Sequence, residues 1–252
     1  MAENMKRIPL KNAFNVRDLG GYPTMDGKSM KWGVLYRSDA LTALTETDWQ
    51  ILKERNVNTI IDLRSFSEAD VAPVKPLEGM EYYHFSLMPE LDQMKTDPRK
   101  MSAEQIVESM KLDYVKTLFQ GIPCCVQILT TILERSERGS ILFMCSAGKD
   151  RTGIVAAVLL YLCDTVREDI IADYMVSSTY NANGINKKLS SLPEEMLKMI
   201  PNMQLLKDCL DSKPETMIRL LDEMDVRDLR TLLAQAGFSA QDQKKLKASF
   251  TQ

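Results

Sequence analysis

The densest hydrophobic pattern in the chain is Ile141-Leu142-Phe143-Met144, followed after a polar break by a second apolar run from Ile154 to Cys163. Four apolar residues without alternation predict a strand buried on both faces, and the longer run predicts a buried helix. Cys145 is therefore expected at a strand-to-helix turn. Upstream, Val34 to Arg37 predicts a short strand that ends in the polar turn Ser38-Asp39. Thr45 with Asp48 three residues on predicts the capped start of a helix reaching about Arg55. Val57 to Leu63, rich in β-branched residues, predicts the next strand. Strand, helix, strand in that order is the pattern of a parallel crossover. Met80 to Leu87 predicts a further strand.

Between and beyond these elements the pattern turns helical. Phe14 to Tyr22 is polar and glycine-rich, which predicts a loop before the first regular element. From Pro89 to Gln120 the chain is polar and then helical, with Ser102 and Gln105 as a second capping pair. So long a connection is usual for a lid, a binding element or an insertion. Helices are predicted from Pro123 to Arg138 and from Glu168 to Tyr180. Pro193, Ser212 to Pro214, and Ser239 with Asp242 punctuate further amphipathic helices. Residues 181–252 are thus expected as a helical C-terminal extension packed on the domain. Met196, Met199 and Met203 fall at helical spacing and read as a packing stripe.

Composition narrows the chemistry. The 252 residues are expected to form a single domain, and 44% hydrophobic with 27% charged is an ordinary balance for a soluble globular chain. Lys and Arg number 32 against 35 Asp and Glu, a net charge of -3, so nothing favours a nucleic-acid partner. Five cysteines without C-x2-C pairs argue against both a disulfide framework and a zinc site, and no metal or cofactor is expected. No apolar run is long enough to span a bilayer, and the first ten residues carry no signal-like core. A cytoplasmic protein is the expectation. The single histidine, His84, excludes a two-histidine metal site and is expected to be structural.

The polar break after Met144 carries the reactive groups. A thiol at the head of a helix, a loop of small residues and an arginine six positions on create an anion cradle with a nucleophile at its floor. The helix end favours the thiolate, and the planar Arg151 can hold two oxygens of a tetrahedral dianion. Cys145-Ser146-Ala147-Gly148-Lys149-Asp150-Arg151-Thr152-Gly153, with C-x5-R spacing, resembles the phosphate-binding loop of the cysteine-dependent tyrosine phosphatases.

A second set of motifs resembles a bacterial branch of that family, the LipA and PtpB type of Listeria and Mycobacterium. It comprises the Asn15 to Tyr22 segment, Leu35-Tyr36-Arg37-Ser38 and Asp62-Leu63-Arg64-Ser65, and the resemblance runs from about Asn12 to Ser178. It implies an α/β phosphatase with a central, mostly parallel sheet of four to five strands flanked by helices, a helical lid insertion over 89–120 and a helical C-terminus. It implies a phosphomonoester hydrolase in which Cys145 is the nucleophile and Arg151 binds the phosphoryl group. Ser146, Ala147, Gly148, Lys149, Thr152 and Gly153 complete the phosphate site. For Thr152 the resemblance implies a hydroxyl donated to the sulfur, and the alternative is a plain first-turn helix residue.

A carboxylic acid must protonate the leaving group. Asp150, inside the loop as in the relatives resembled, is the first choice, and Asp62, at a neighbouring strand end, is the reserve. Lys149 resembles a position in phosphoinositide 3-phosphatase loops, so the expected partner is a phosphorylated protein or a phosphoinositide. Arg37 and Arg64 are candidates to extend the positive floor. Met144 departs from the family, which has a histidine before the nucleophile, and an upward-shifted pH optimum is expected. The competing reading is a catalytically idle phosphate-binding module. Rhodanese and arsenate reductase loops share the cysteine, but neither explains the Asn15 to Tyr22 and Asp62 to Ser65 motifs.

Overall fold

The computed structural model describes residues 4–87, 112–190 and 211–252, the side chains of 183 and 185–190 excepted. The capping pair Ser102 and Gln105, most of the expected lid, Pro193 and the methionine stripe Met196, Met199 and Met203 lie outside the described residues. A five-stranded sheet forms the centre, with β1 (Arg17–Asp18), β2 (Leu35–Ser38), β3 (Val57–Asp62), β4 (Glu81–His84) and β5 (Ser140–Met144). Its spatial order is β1-β2-β5-β3-β4, parallel throughout except for β1. The sheet is the mostly parallel one expected, with helices on both faces.

The central strand shows why. All five residues of β5 are buried, and successive side chains point to opposite faces. Ile141 and Phe143 enter the larger hydrophobic core, together with α4 (Ile122–Arg135) and α5 (Asp150–Leu162). Leu142 and Met144 enter the other, with Trp49 and Leu52 of α1 (Glu46–Glu54) and with Ile8 and Val16 from the N-terminal segment. Ten of the thirteen residues of α5 are buried, so its lack of an amphipathic stripe is the mark of a helix covered all round. Burying each large aliphatic side chain contributes roughly 1.5–3 kcal/mol.

Three departures from the sequence pattern have physical causes. The Phe14 to Tyr22 segment is not all loop, because Arg17 and Asp18 pair antiparallel with Arg37 and Tyr36 and so satisfy the backbone groups of a strand that would otherwise be a sheet edge. The short helix α2 (Phe66–Val71) was not predicted from periodicity. None of its residues is buried, and it is specified by a capping box in which Ser65 and Glu68 bond each other's backbone N–H. The helical end expected of the 89–120 segment is α3 (Tyr114–Gln120), and what the pattern did not show is the 76° bend at Gly121 between it and the helix predicted from Pro123. A Cβ at Gly121 would lie 2.7 Å from the Thr117 carbonyl, so the bend is confined to glycine.

The remaining described helices are α6 (Arg167–Ser190), α7 (Pro214–Val226), α8 (Leu229–Gln235) and α9 (Ala240–Phe250). Met217, Leu220, Leu221, Leu233, Leu246 and Phe250 from the last three join the larger core. Among the described residues no single helix is long and apolar enough to cross a membrane. His84 Nε2 donates a 2.8 Å hydrogen bond to the Arg64 carbonyl, and the ring packs edge-on against Phe66 at a ring separation of 4.8 Å.

Candidate active site

Cys145 leaves β5 at its C-terminal end, 2% exposed, and α5 begins five residues later at Asp150. The turn between them is fastened from outside by its carbonyls. Asn15 Nδ2 donates to the carbonyls of Ala147 and Gly148, both at 3.0 Å. Asn181 Nδ2 donates to Ala147 O at 2.9 Å. Arg37 Nη2 donates to Gly148 O at 2.8 Å and to Lys149 O at 3.4 Å, and the Ala40 N–H reaches Ser146 O at 3.3 Å.

In a trans peptide the carbonyl and the next N–H point in opposite directions. With four consecutive carbonyls drawn onto the scaffold, the N–H groups of Ala147, Gly148, Lys149 and Asp150 turn away from it. Gly148 makes this possible. Its φ is +64°, and a Cβ there would lie 2.5 Å from the backbone carbon and oxygen of Ser38.

Beneath the turn lies a buried ion network. Asp173 of α6 receives Arg17 Nε at 2.8 Å and the Tyr22 hydroxyl at 3.1 Å on one oxygen, and Arg37 Nη1 on the other. Arg17 also donates to the Asp173 carbonyl at 2.7 Å, to the Ser177 hydroxyl at 3.0 Å and to the Asn15 side chain. Burial would push the Asp173 carboxyl up, but the two guanidinium groups overcome it and hold the group far below the usual carboxylate range. The Asn15 to Tyr22 segment thus reaches the turn twice, directly through Asn15 and indirectly through Arg17, Tyr22 and Arg37.

Arg151 sits on the first turn of α5 and is held by α2. Its Nη2 donates to Glu68 Oε1 at 3.0 Å and to Ser146 Oγ at 3.1 Å, while Nη1 donates to the other Glu68 oxygen. Ser146 in turn donates to Glu68. Burial opposes ionisation of Glu68, but the hydrogen bonds and charge of Arg151 prevail and bring it down to about 2. Glu68 was missed in the sequence, where its signal was the capping box it shares with Ser65.

Asp150 accepts from the Tyr114 hydroxyl at 2.6 Å, and Lys149 Nζ lies 3.3 Å from the same oxygen. Lys149 is 6% exposed and also reaches the Asp211 carbonyl at 3.2 Å. The Thr152 hydroxyl is buried and has no hydrogen-bond partner among the described residues. Gly153 makes room for the Tyr174 ring, which a Cβ would approach to 3.3 Å. Cys145 through Gly153 therefore form one compact site with Arg37 beneath it.

Asp62 and Arg64 form a different cluster. Arg64 Nη2 lies 2.6 Å from Asp62, the Tyr82 hydroxyl donates to Asp62 at 2.8 Å, and Arg64 Nη1 donates to the Ala72 carbonyl at 2.9 Å. Both side chains are buried, and their hydrogen bonds run to one another, to the Tyr82 hydroxyl and to neighbouring backbone, not to the turn.

A family model described as the tyrosine phosphatase family matches residues 8–252. A protein of Cupriavidus necator named as a candidate tyrosine-protein phosphatase is 28% identical over 171 residues, 67% of this chain and 62% of its own. The tyrosine-protein phosphatase of Nostoc commune is 33% identical over 146 residues, 57% of this chain and 48% of its own. The triple specificity protein phosphatase PtpB of Mycobacterium tuberculosis is 25% identical over 195 residues, 67% of this chain and 68% of its own. The chain thus spans about half to two-thirds of the length of these relatives.

Proposed function

The chain belongs to the tyrosine phosphatase family, and from that premise we propose that it hydrolyses phosphotyrosine through a cysteinyl-phosphate formed on Cys145. The observation that carries the reading is the fastening of the carbonyls from Ser146 to Lys149, which turns a row of N–H groups away from the scaffold beside the thiol. Such donors, fixed before substrate arrives, stabilise the charge that builds on the phosphoryl oxygens without reorganising at the moment of reaction. Arg151 adds a planar cation that Glu68 and Ser146 keep from swinging.

The Cys145 sulfur attacks phosphorus, the bond to the tyrosyl oxygen breaks, and Asp150 protonates that oxygen as it leaves. Water then attacks the phosphorus of the cysteinyl-phosphate, the Asp150 carboxylate accepts its proton, and the sulfur–phosphorus bond breaks to return the Cys145 thiolate and release inorganic phosphate. Neither step requires a metal or an organic cofactor.

Phosphotyrosine is favoured over a phosphoinositide by the state of the cations. Lys149, Arg37 and Arg64, the residues that would recognise a polyanionic head group, are all buried and engaged by Asp150, Asp173, Asp62 or backbone carbonyls. Phosphate release from a phosphotyrosine peptide, phosphoserine and phosphothreonine peptides and phosphatidylinositol phosphates, measured with chelator present, tests the assignment. Turnover of the tyrosine peptide that persists in chelator and disappears in Cys145→Ser supports it. A preference for the lipids overturns the substrate class, and binding of phosphate analogues without turnover of any substrate replaces the enzyme with a phosphate-binding module.

A further inference from the structure

We propose that Tyr114 is a positioning residue that fixes which oxygen of Asp150 carries the proton for the leaving group, an inference that rests on reading Asp150 as the proton donor. Tyr114 opens α3, a separate element from the loop and helix that bear Asp150. It is 4% exposed, and its ring meets that of Tyr174 edge-on at 5.7 Å between centroids. Its hydroxyl donates to Asp150 Oδ1 at 2.6 Å and lies 3.1 Å from the Tyr174 oxygen.

The charged and titratable groups around Asp150 come from several elements: Lys149 and Arg151 from its own segment, the neutral hydroxyls of Tyr114 from α3 and Tyr174 from α6, and Glu68 of α2 beyond Arg151. Two of them converge on one oxygen. Oδ1 faces both the Tyr114 hydroxyl and the Lys149 ammonium at 3.3 Å, whereas Oδ2 has no hydrogen-bond partner among the described residues. A proton placed on Oδ1 would face two donors, so the acid proton resides on Oδ2.

Tyr114 has one proton and two acceptors. With Asp150 protonated, that proton turns to Tyr174. As the phosphorus–oxygen bond breaks, its electron pair goes to the leaving oxygen, the Oδ2–H bond gives up its proton to that oxygen, and Asp150 becomes a carboxylate. Tyr114 then turns its proton back to Oδ1. Burial, and next the nearby Asp150 charge, push the Tyr114 hydroxyl well above its ordinary range, which keeps it a donor throughout.

The test compares p-nitrophenyl phosphate, whose leaving group needs little protonation, with phenyl phosphate, whose leaving group needs much. Tyr114→Phe should leave kcat on the first within about twofold and lower it on the second by about tenfold, part of the 10²–10⁴ a positioned acid supplies. KM should not change. The basic limb of the phenyl phosphate kcat profile should move up by about one pH unit, since a carboxylate that has lost a donor keeps its proton longer. Tyr174→Phe removes the competing acceptor, together with the contact of that hydroxyl with Thr216, and should move that limb the opposite way, which keeps the proposal testable if Tyr114→Phe does not fold. Equal losses on both substrates, or a limb unmoved in the folded variants, overturn the role of Tyr114. If Asp150→Asn shows no dependence on the leaving group, the proton-donor reading itself fails.

Discussion

Glu68 and Arg151 grip each other from separate helices, with Arg151 Nη2 at 3.0 Å from Glu68 Oε1 and Nη1 on the second oxygen. The helix α2 buries none of its own residues, so its place in the molecule depends on this grip and on the cap at Ser65. Glu68→Gln keeps the shape and removes the charge. kcat/KM for an aryl phosphate is expected to fall by about tenfold or more, because the guanidinium no longer has a fixed orientation. Steady-state kinetics on the variant, with Arg151→Lys for comparison, check this.

The same pair sets a pH dependence. The folded value of Glu68, about 2, lies below its ordinary value of 4.5, so the folded state binds this proton less readily than the unfolded chain. The stabilisation is therefore complete above about 4.5 and is lost as pH falls toward 2. The difference in Tm between wild type and Glu68→Gln should be constant from pH 7 to about 5 and shrink below it. A difference that grows on acidification would contradict the pairing.

Asp173 joins Arg17 and Arg37 with side chains that are each 1% exposed. Removing its charge leaves two buried guanidinium groups uncompensated, and Asp173→Asn is expected to cost about 3–5 kcal/mol of stability. Urea unfolding followed by tryptophan fluorescence measures this. Activity should fall further than the folded fraction, because Arg37 also holds the Gly148 carbonyl.

Asn15 and Asn181 share the Ala147 carbonyl, but only Asn15 also holds that of Gly148. Asn15→Ala should weaken inhibition by vanadate by about tenfold, and Asn181→Ala by clearly less. Similar losses in the two variants would argue against this division of labour. The measurement reports the binding of a phosphate mimic and does not depend on the identity of the proton donor.

Gly148→Ala introduces a Cβ at a left-handed φ and within 2.5 Å of Ser38 backbone. Strain of this kind costs about 1–3 kcal/mol before any shift of β2 is counted. Vanadate binding and turnover should be lost together, and a thermal melt will show whether the fold survives.

Much of the site was legible because its reactive part is contiguous. The apolar strand, the small loop and the helix that follow one another from Ile141 to Cys163 announce a thiol at a helix start without any tertiary information. The Asn15 to Tyr22 segment was conspicuous as a motif, yet its purpose depends on contacts with residues more than a hundred positions away, which no local pattern encodes. Glu68 and Tyr114 likewise act through contacts remote in sequence, Glu68 showing locally only as the capping partner of Ser65 on an exposed six-residue helix and Tyr114 lying at the end of a long connection. Arg37 and Arg64 read in the sequence as candidates to extend a positive floor. Both are buried, because each has a carboxylate within reach that strand pairing alone does not reveal.

The fastening of the turn also dictates when the cradle can exist. Ala147 meets its second amide donor only 34 residues later in the chain and its first from 132 residues earlier. A nascent chain that has just released Cys145 from the ribosome therefore has the nucleophile but not the cradle, since α6 is still unmade. The cradle becomes competent only once α6 has been made and has docked. Fragments that carry the strand, loop and first helix alone will be inert thiols.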